Sequence, residues 1–317
     1  MLPSTWCCRA IHNSSVYRHV LRNVVPPCQP LNETDAHRLA EFLSASSKLL
    51  VVTGAGISTE SGLPDYRSEG VGAYARNKNF TPVQYQTFVK SASFRRRYWL
   101  RNYLGWENLY SLKPNRAHLT LTQLEEEDKL IHLITQNVDR LHHKANTKNV
   151  IELHGTSFRV ICLQCPFEID RGRFQVSLAD QNRDIAVKQF ELNPDGDVDI
   201  SEEDCSRFTV PDCPDCGGML KPDIVFFGEN VPRLRVQAVN ELIDQCDALV
   251  VCGSSLAVQS SFRIVTKINE LQKPIALVNI GKTRADHLIS LKVEAKCGDV
   301  LPAAHDILHG RNVQISR

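Results

Sequence analysis

Cys162-x-x-Cys165 and Cys213-x-x-Cys216 are two pairs at the spacing with which tight turns present four thiolates to one tetrahedral Zn²⁺ ion. A single pair would suit thiol–disulfide exchange equally well. Two matched pairs favour a structural zinc, and four sulfur ligands leave the metal no open position for catalysis. Gly217 and Gly218 behind the second pair suit the close turn that points backbone amides at sulfur. A second set of polar and glycine residues ends the short apolar runs: Gly54-Ala55-Gly56, Gln136-Asn137, His154-Gly155, Gly253-Ser254-Ser255, Asn279-Ile280-Gly281 and Gly298-Asp299. The turn at Gly54 and Gly56 would let the backbone approach a pyrophosphate at a helix N-terminus. A hydride-transferring dinucleotide site needs a third glycine at position 59 and an acidic ribose partner roughly 20 residues further on. Position 59 is Thr, and no Asp or Glu occurs between Glu69 and Glu107. A nucleotide is therefore expected here in a nonstandard manner, beside the Asp65-Tyr66-Arg67 run that follows the Gly62-Leu63-Pro64 stop.

These groups need elements to hold them. Short β-branched runs alternate with helical stretches, which predicts βαβ units and an α/β fold with a Rossmann-like parallel sheet. The strand candidates are 48–53, 130–135, 150–153, 223–227, 248–252, 275–280 and 292–297. In an open parallel sheet the ligand crevice lies at the carboxyl ends of the strands, so the polar ends should share one cleft. The cysteine pairs define a smaller inserted zinc-binding module over 156–222, dividing a catalytic domain of 33–155 and 223–317. Between the pairs, residues 166–212 carry twelve acidic and five basic side chains, which predicts a solvated acidic surface insertion. The run from Asp195 to Asp199 superficially resembles a calcium loop but lacks the closing bidentate Glu. Cys246 and Cys252 are expected in the core. Cys205 is a reserve metal ligand at most.

The 317 residues carry 37 Lys+Arg against 36 Asp+Glu, a net charge of +1. That balance argues against a protein held to nucleic acid by global electrostatics. Apolar runs fall far short of the roughly 20 residues that span a bilayer. Residues 1–32 hold Arg9, Arg18 and Arg22 with no acid, and Pro26, Pro27 and Pro30 close the segment. This composition predicts a mitochondrial transit peptide.

In order along the chain, residues 54–67 (Gly-Ala-Gly-Ile-Ser-Thr-Glu-Ser-Gly-Leu-Pro-Asp-Tyr-Arg), 135–142 (Thr-Gln-Asn-Val-Asp-Arg-Leu-His), Leu153-His-Gly155, the two cysteine pairs, 221–229 (Lys-Pro-Asp-Ile-Val-Phe-Phe-Gly-Glu), Gly253-Ser-Ser255 and Val278-Asn-Ile-Gly281 resemble the sirtuins. The resemblance covers roughly 36–310. Fine detail at Tyr66-Arg-Ser-Glu69, 97–102, 194–198 and 279–286 is similar to the mitochondrial class II branch. It implies an NAD-dependent protein lysine deacylase that consumes NAD and yields nicotinamide and 2′-O-acyl-ADP-ribose. The acyl groups implied are lipoyl, biotinyl, branched or acidic ones, with weak deacetylation. His154 is then the base that deprotonates a ribose hydroxyl, its ordinary pKa lying near working pH. Asn137 and Asp139 would orient ribose and water, Gln136 would hold a ribose hydroxyl, and Arg67 with the Gly54–Gly56 amides would face the pyrophosphate. Ser255, Asn279 and Cys297 would cradle the adenosine half. The implied NAD contacts extend to Ala55, Ser58, Glu60, Asp65, Tyr66, Tyr74, Val138, Gly253, Ser254, Ile280 and Gly281. Leu63, Tyr66 and Ser254 replace commoner Ile, Phe and Thr, all mild changes, and the long insertion is expected to cover part of the cleft.

Residues 70–106 carry seven cations and no anion. Within them Tyr98 and Arg101, three apart, fall on one side of a helix. They align with a Tyr-x-x-Arg pair of acidic-acyl-removing sirtuins, so the resemblance makes them an acyl pocket. Mono-ADP-ribosylation in the same site is the alternative activity. A non-catalytic zinc scaffold is the distant one, since it leaves His154, Asn137 and Asp139 unexplained. The expected partners are acylated mitochondrial matrix proteins such as metabolic enzymes, acted on by a monomer without nucleic acid or membrane span.

Overall fold

The computed structural model describes residues 24–78, 80–185, 193–195, 198 and 205–312. The basic segment through Arg22 and parts of the acidic insertion (186–192, 196–197 and 199–204) lie outside them. Among the described residues nine strands follow in chain order: β1 Leu49–Thr53, β2 Leu130–Thr135, β3 Val150–Glu152, β4 Gly155–Cys162, β5 Glu168–Asp170, β6 Leu220–Ile224, β7 Ala248–Cys252, β8 Ile275–Val278 and β9 Leu291–Val293.

Six of them form one parallel sheet in the order β3-β2-β1-β7-β8-β9. β1, β7 and β8 are buried along their whole length, as strands covered on both faces must be. Their side chains alternate between two cores. Leu49, Val51, Val250 and Val278 face helices Glu33–Ala45, Arg116–Glu126 and Cys297–Leu308, which contribute Leu39, Leu43, Leu121 and Leu301. Leu50, Val52, Val251 and Leu277 face helices Arg233–Gln245 and Gln259–Glu270 through Ile243, Ile264 and Ile268. The strand order reverses between β1 and β7, so the crevice that such a sheet offers a ligand opens at Thr53 and Cys252.

The small module is a three-stranded antiparallel sheet, β5-β4-β6. Residues 223–227, expected as a parallel strand, begin instead inside β6, which pairs antiparallel with β4. The apolar stretch is real, but a long-range partner takes it out of the main sheet. Strand ends also retreat: β8 stops at Val278 and β9 at Val293, leaving Asn279–Gly281 and Cys297 in the turns and helix start beyond. The module packs on helices Ala92–Ser111 and Arg171–Gln181 through an aromatic core. Ser91 caps the first by accepting from the Phe94 N–H at 3.1 Å, and Trp99 donates to the Leu220 carbonyl at 3.1 Å. Arg171 is fully buried over the rings of Trp99, Trp106 and Phe174, and donates to the Asn102 carbonyl and Gln175. Burial lowers it to about 9.

The acidic insertion is not wholly solvated. Asn193 and Val198 are buried, and Val198 joins the aromatic core. Val198 brings an apolar side chain to the core that the insertion shares with the helix Ala92–Ser111, and burial there removes apolar surface from water.

Candidate active site

A cavity of about 1760 Å³ lies between the parallel sheet and the module. Its floor is backbone. The Gly54 amide donates to the Cys252 carbonyl and the Gly56 amide to the Gly253 carbonyl, at 3.0 and 2.9 Å, so the exits of β1 and β7 touch directly. Gly253 has φ +60°, and a Cβ there would stand 2.3 Å from the Ile57 nitrogen. Only glycine fits that approach. Gln136 bridges the two exits, donating to the Thr53 carbonyl at 3.2 Å and to Ser254 Oγ at 2.8 Å.

Behind this floor runs a buried relay. Asn137 Nδ2 donates to the Gly54 carbonyl (3.1 Å) and to Ser58 Oγ (3.0 Å), and Ser58 Oγ donates to Asp139 Oδ2 at 2.7 Å. The Leu141 N–H holds the other Asp139 oxygen at 2.9 Å. Burial raises the Asp139 pKa against these two donors. Asn137 lines the cavity; Ser58 and Asp139 are one layer behind it. His154 follows β3 and faces the cavity. Its Nδ1 meets the Gln136 carbonyl at 3.2 Å and its Nε2 meets Ser260 Oγ at 2.7 Å. Burial lowers its pKa to about 4, with the Gln136 carbonyl opposing and the Arg235 charge adding. Burial thus disfavours the imidazolium and holds the ring below the ordinary histidine value. Ser260 had no role in the sequence reading; it opens the helix Gln259–Glu270, and nothing local marks it as a histidine partner.

The rim gathers most of the other anticipated residues. Ala55, Glu60, Asp65, Tyr66, Arg67, Val138, Ser255, Asn279, Ile280, Gly281 and Cys297 all line the cavity. Asp65 holds its loop by accepting from the Arg67 and Ser68 amides at 2.9 and 2.7 Å. Tyr74 does not line the cavity: its ring lies under the Arg67 guanidinium at 5.5 Å and packs on Tyr66. Glu60 accepts from the Gly298 N–H at 2.7 Å, so a carboxylate occupies the start of the helix Cys297–Leu308. Its pKa is raised by burial, and further by Asp299, against the Gly298 N–H and the charges of Lys296 and Arg116.

The proposed acyl pair divides. Arg101 lines the cavity and donates from Nε to the Val198 carbonyl at 2.8 Å. Tyr98 is buried among Phe88, Trp99 and Phe226, of which Phe226 lines the cavity. Helical spacing put both on one side; packing turned the aromatic ring inward. Pro194 and Asp195 of the insertion line the cavity too. The segment 221–229 also had no assigned role, yet Val225 to Glu229 form a wall. The buried Lys221 ammonium pairs with Glu229 at 3.1 Å, and the Glu229 carboxylate accepts from the Phe226 N–H at 2.7 Å.

At the module's tip the sulfurs of Cys162, Cys165, Cys213 and Cys216 all lie within 4.8 Å of one another. The closest pairs, Cys162–Cys216 and Cys165–Cys213, are 3.5 and 3.6 Å apart. A tetrahedral ion at about 2.3 Å from each sulfur requires edges of about 3.8 Å, so the set fits zinc without rearrangement. The Gln164 amide donates to Cys162 Sγ at 3.3 Å. The crowded sulfurs hydrogen-bond one another, so Cys162 is brought down to about 7 while Cys165 is pushed up to about 12. Cys205 stands outside the group, and Cys246 and Cys252 are buried.

A reversing parallel sheet with nucleotide-type glycine exits, carrying a four-cysteine module across a cleft, defines a Rossmann-like enzyme with an inserted zinc domain. The Sir2 family profile matches residues 54–260, and the chain belongs to that family, the sirtuins. A Drosophila melanogaster protein named NAD-dependent protein deacylase Sirt4 is 49% identical over 289 residues, 91% of this chain and 92% of that one. A Homo sapiens protein named NAD-dependent protein lipoamidase sirtuin-4, mitochondrial, is 47% identical over 278 residues, 88% of each chain. Among solved structures, a chain from work on the mechanism and regulation of Sir2 enzymes has TM-score 0.68 at 28% identity, covering 88% of this chain and 100% of its own. A Sir2 complex with a p53 peptide and NAD⁺ has TM-score 0.66 at 28% identity, with coverages of 86% and 97%.

Proposed function

We propose that this chain is an NAD-dependent protein lysine deacylase that releases lipoyl, biotinyl, branched or acidic acyl groups. The observation that carries the reading is His154: a neutral imidazole in a cavity walled by glycine exits, with Gln136 and Asn137 at its side. NAD, as co-substrate, supplies a ribose whose nicotinamide is displaced by the acyl oxygen. Every other task falls to side chains and amides of the chain. The Gly54–Gly56 backbone and Arg67 receive the pyrophosphate, and Gln136 holds a ribose hydroxyl. Asn137 positions ribose and water, and Asp139 fixes Asn137 through Ser58. His154 accepts the proton of a ribose hydroxyl, which then attacks the acyl carbon. Ser255, Asn279 and Cys297 cradle the adenosine end, and Arg101 meets the acyl chain. The four-cysteine zinc keeps the module's tip folded.

The test incubates the protein, less its first 32 residues, with NAD and acetyl-, lipoyl-, biotinyl- and methylglutaryl-lysine peptides, and identifies products by mass spectrometry. Free lysine peptide and acyl-ADP-ribose are expected with His154 and absent in His154→Tyr. Labelling of protein with ADP-ribose and no deacylated peptide would make the chain a transferase instead. An Arg101→Met variant with unchanged relative rates on glutaryl-type and apolar acyl-lysines would remove Arg101 from the acyl pocket.

The working place proposed is the mitochondrial matrix, on acylated metabolic enzymes. The acid-free segment 1–32 and the mitochondrial names of the bovine and human relatives support it. No described helix is long and apolar enough to cross a membrane. Residues 1–32 fused to a reporter should deliver it to a protease-protected mitochondrial compartment; a cytosolic reporter refutes the transit reading.

A further inference from the structure

Away from the cleft, three side chains that the deacylase reading does not use converge on one point. His305 and His309 stand one helical turn apart at the C-terminal end of the helix Cys297–Leu308, and Glu127 caps the C-terminus of Arg116–Glu126. Both imidazole Nε2 atoms address the same carboxylate oxygen, Glu127 Oε1, at 2.9 Å from His305 and 3.1 Å from His309. The three ligand atoms lie within 4.8 Å of one another, and the two rings are 4.6 Å apart. Two imidazole nitrogens and a carboxylate oxygen thus converge from two helices. The carbonyl ends of two helices meet there, which adds partial negative charge and favours a cation.

We propose that Glu127, His305 and His309 form a second metal site, taking one borderline divalent transition ion: zinc, nickel or copper. Two nitrogen donors and one oxygen suit these ions and not the oxygen-seeking magnesium or calcium. Donors at about 2.05 Å from an ion stand about 2.9 Å apart at right angles and about 3.3 Å apart at tetrahedral angles, which brackets the two measured separations. His305 is nearly buried, while His309 and Glu127 are each about one-third exposed. The ion therefore has a fixed inner wall and an outer side open to water, which completes its coordination. The site ties two packed helices together at the far end of the helix whose first residue, Cys297, lines the cleft. Over twelve residues that helix is about 18 Å long.

The test uses the whole chain with its four-cysteine site already loaded, dialysed against micromolar zinc. Two zinc ions per chain are expected, against one in His309→Ala, a change at a partly exposed position. In Glu127→Gln, of equal size, the second ion should bind at least tenfold more weakly. Cu²⁺ added to the zinc-loaded protein should give an electron paramagnetic resonance spectrum with coupling to two imidazole nitrogens, lost in His309→Ala. The proposal falls if the unaltered chain keeps one zinc. It falls equally if both variants bind the second ion as tightly, or if the Cu²⁺ spectrum carries no nitrogen coupling.

Discussion

The parallel sheet and the module across the cleft solve the burial problem in different ways. The sheet is covered on both faces, and its central strands β1, β7 and β8 are lined by Leu, Val, Ile and Ala that leave almost no accessible surface. Aliphatic burial alone, at about 25 cal/mol per Å², suffices for such a layer. The module's sheet has three strands, too few to enclose an aliphatic core. It relies on large rings, a buried arginine stacked among them, and four thiolates. The contrast implies that one side of the cleft is rigid by packing and the other by specific bonds.

The largest effect expected is metal loss. Chelation of zinc, or Cys213→Ser, should abolish deacylation and strip hydrogen-exchange protection from β4 to β6 while β1, β2 and β7 stay protected. Simultaneous loss of protection in both regions would erase the distinction. Next comes glycine. Gly253→Ala, at the contact of two strand exits, should cost more than about 3 kcal/mol and end NAD binding, because strained φ and overlap combine. Gly217→Ala, at φ +69° with open space around it, should cost only about 1–2 kcal/mol. Denaturant melts of the two variants measure the difference.

Acid should act on the sheet side. His118 is held at about 3 and His154 at about 4 by burial, and His142 is pushed well below its ordinary 6.5. Above pH 6.5 both folded and unfolded chains leave these rings neutral, so nothing is at stake. As pH falls below 6.5 the unfolded chain takes up protons the folded one refuses, and stability drops until the folded pKa values are reached. At pH 5, His118 alone should cost about 2 kcal/mol. Asp247, lowered to about 2 by Ser46, Ser47 and Lys48 donors that outweigh its burial, contributes stability lost only below the ordinary carboxylate range. Thermal melts from pH 7.5 to 4 should therefore decline first through the histidine window. A flat profile there would contradict the buried-histidine account. Arg171→Met removes a buried charge but leaves the Asn102 carbonyl without that donor, for a net loss of about 1–3 kcal/mol in the same melts.

Much of the sheet side was legible because its signals are local: β-branched runs that stop in glycine or a small polar residue. The same local signal misled at 223–227, where an apolar run also ends in glycine but the pairing partner is Gly155, remote in sequence. The cysteine pairs were legible because zinc geometry restricts spacing. Tyr98 lies inward of Arg101 because i, i+3 spacing gives a shared side and not a shared surface. Ser260 at His154 and the Glu127–His305–His309 convergence depend on helix docking, which no segment of sequence records by itself.

Two of the chain passages that join the regions run side by side. Gly155 opens β4 opposite Ile224, which ends β6, and the Val225 N–H donates to the His154 carbonyl at 2.8 Å. At Gly155, with φ +82°, a Cβ would lie 1.8 Å from the Asp223 carbonyl, so the two passages are pressed together. The base and the wall opposite it are thereby spliced backbone to backbone, so a side chain forced in at Gly155 would displace His154 and the Val225–Glu229 wall together.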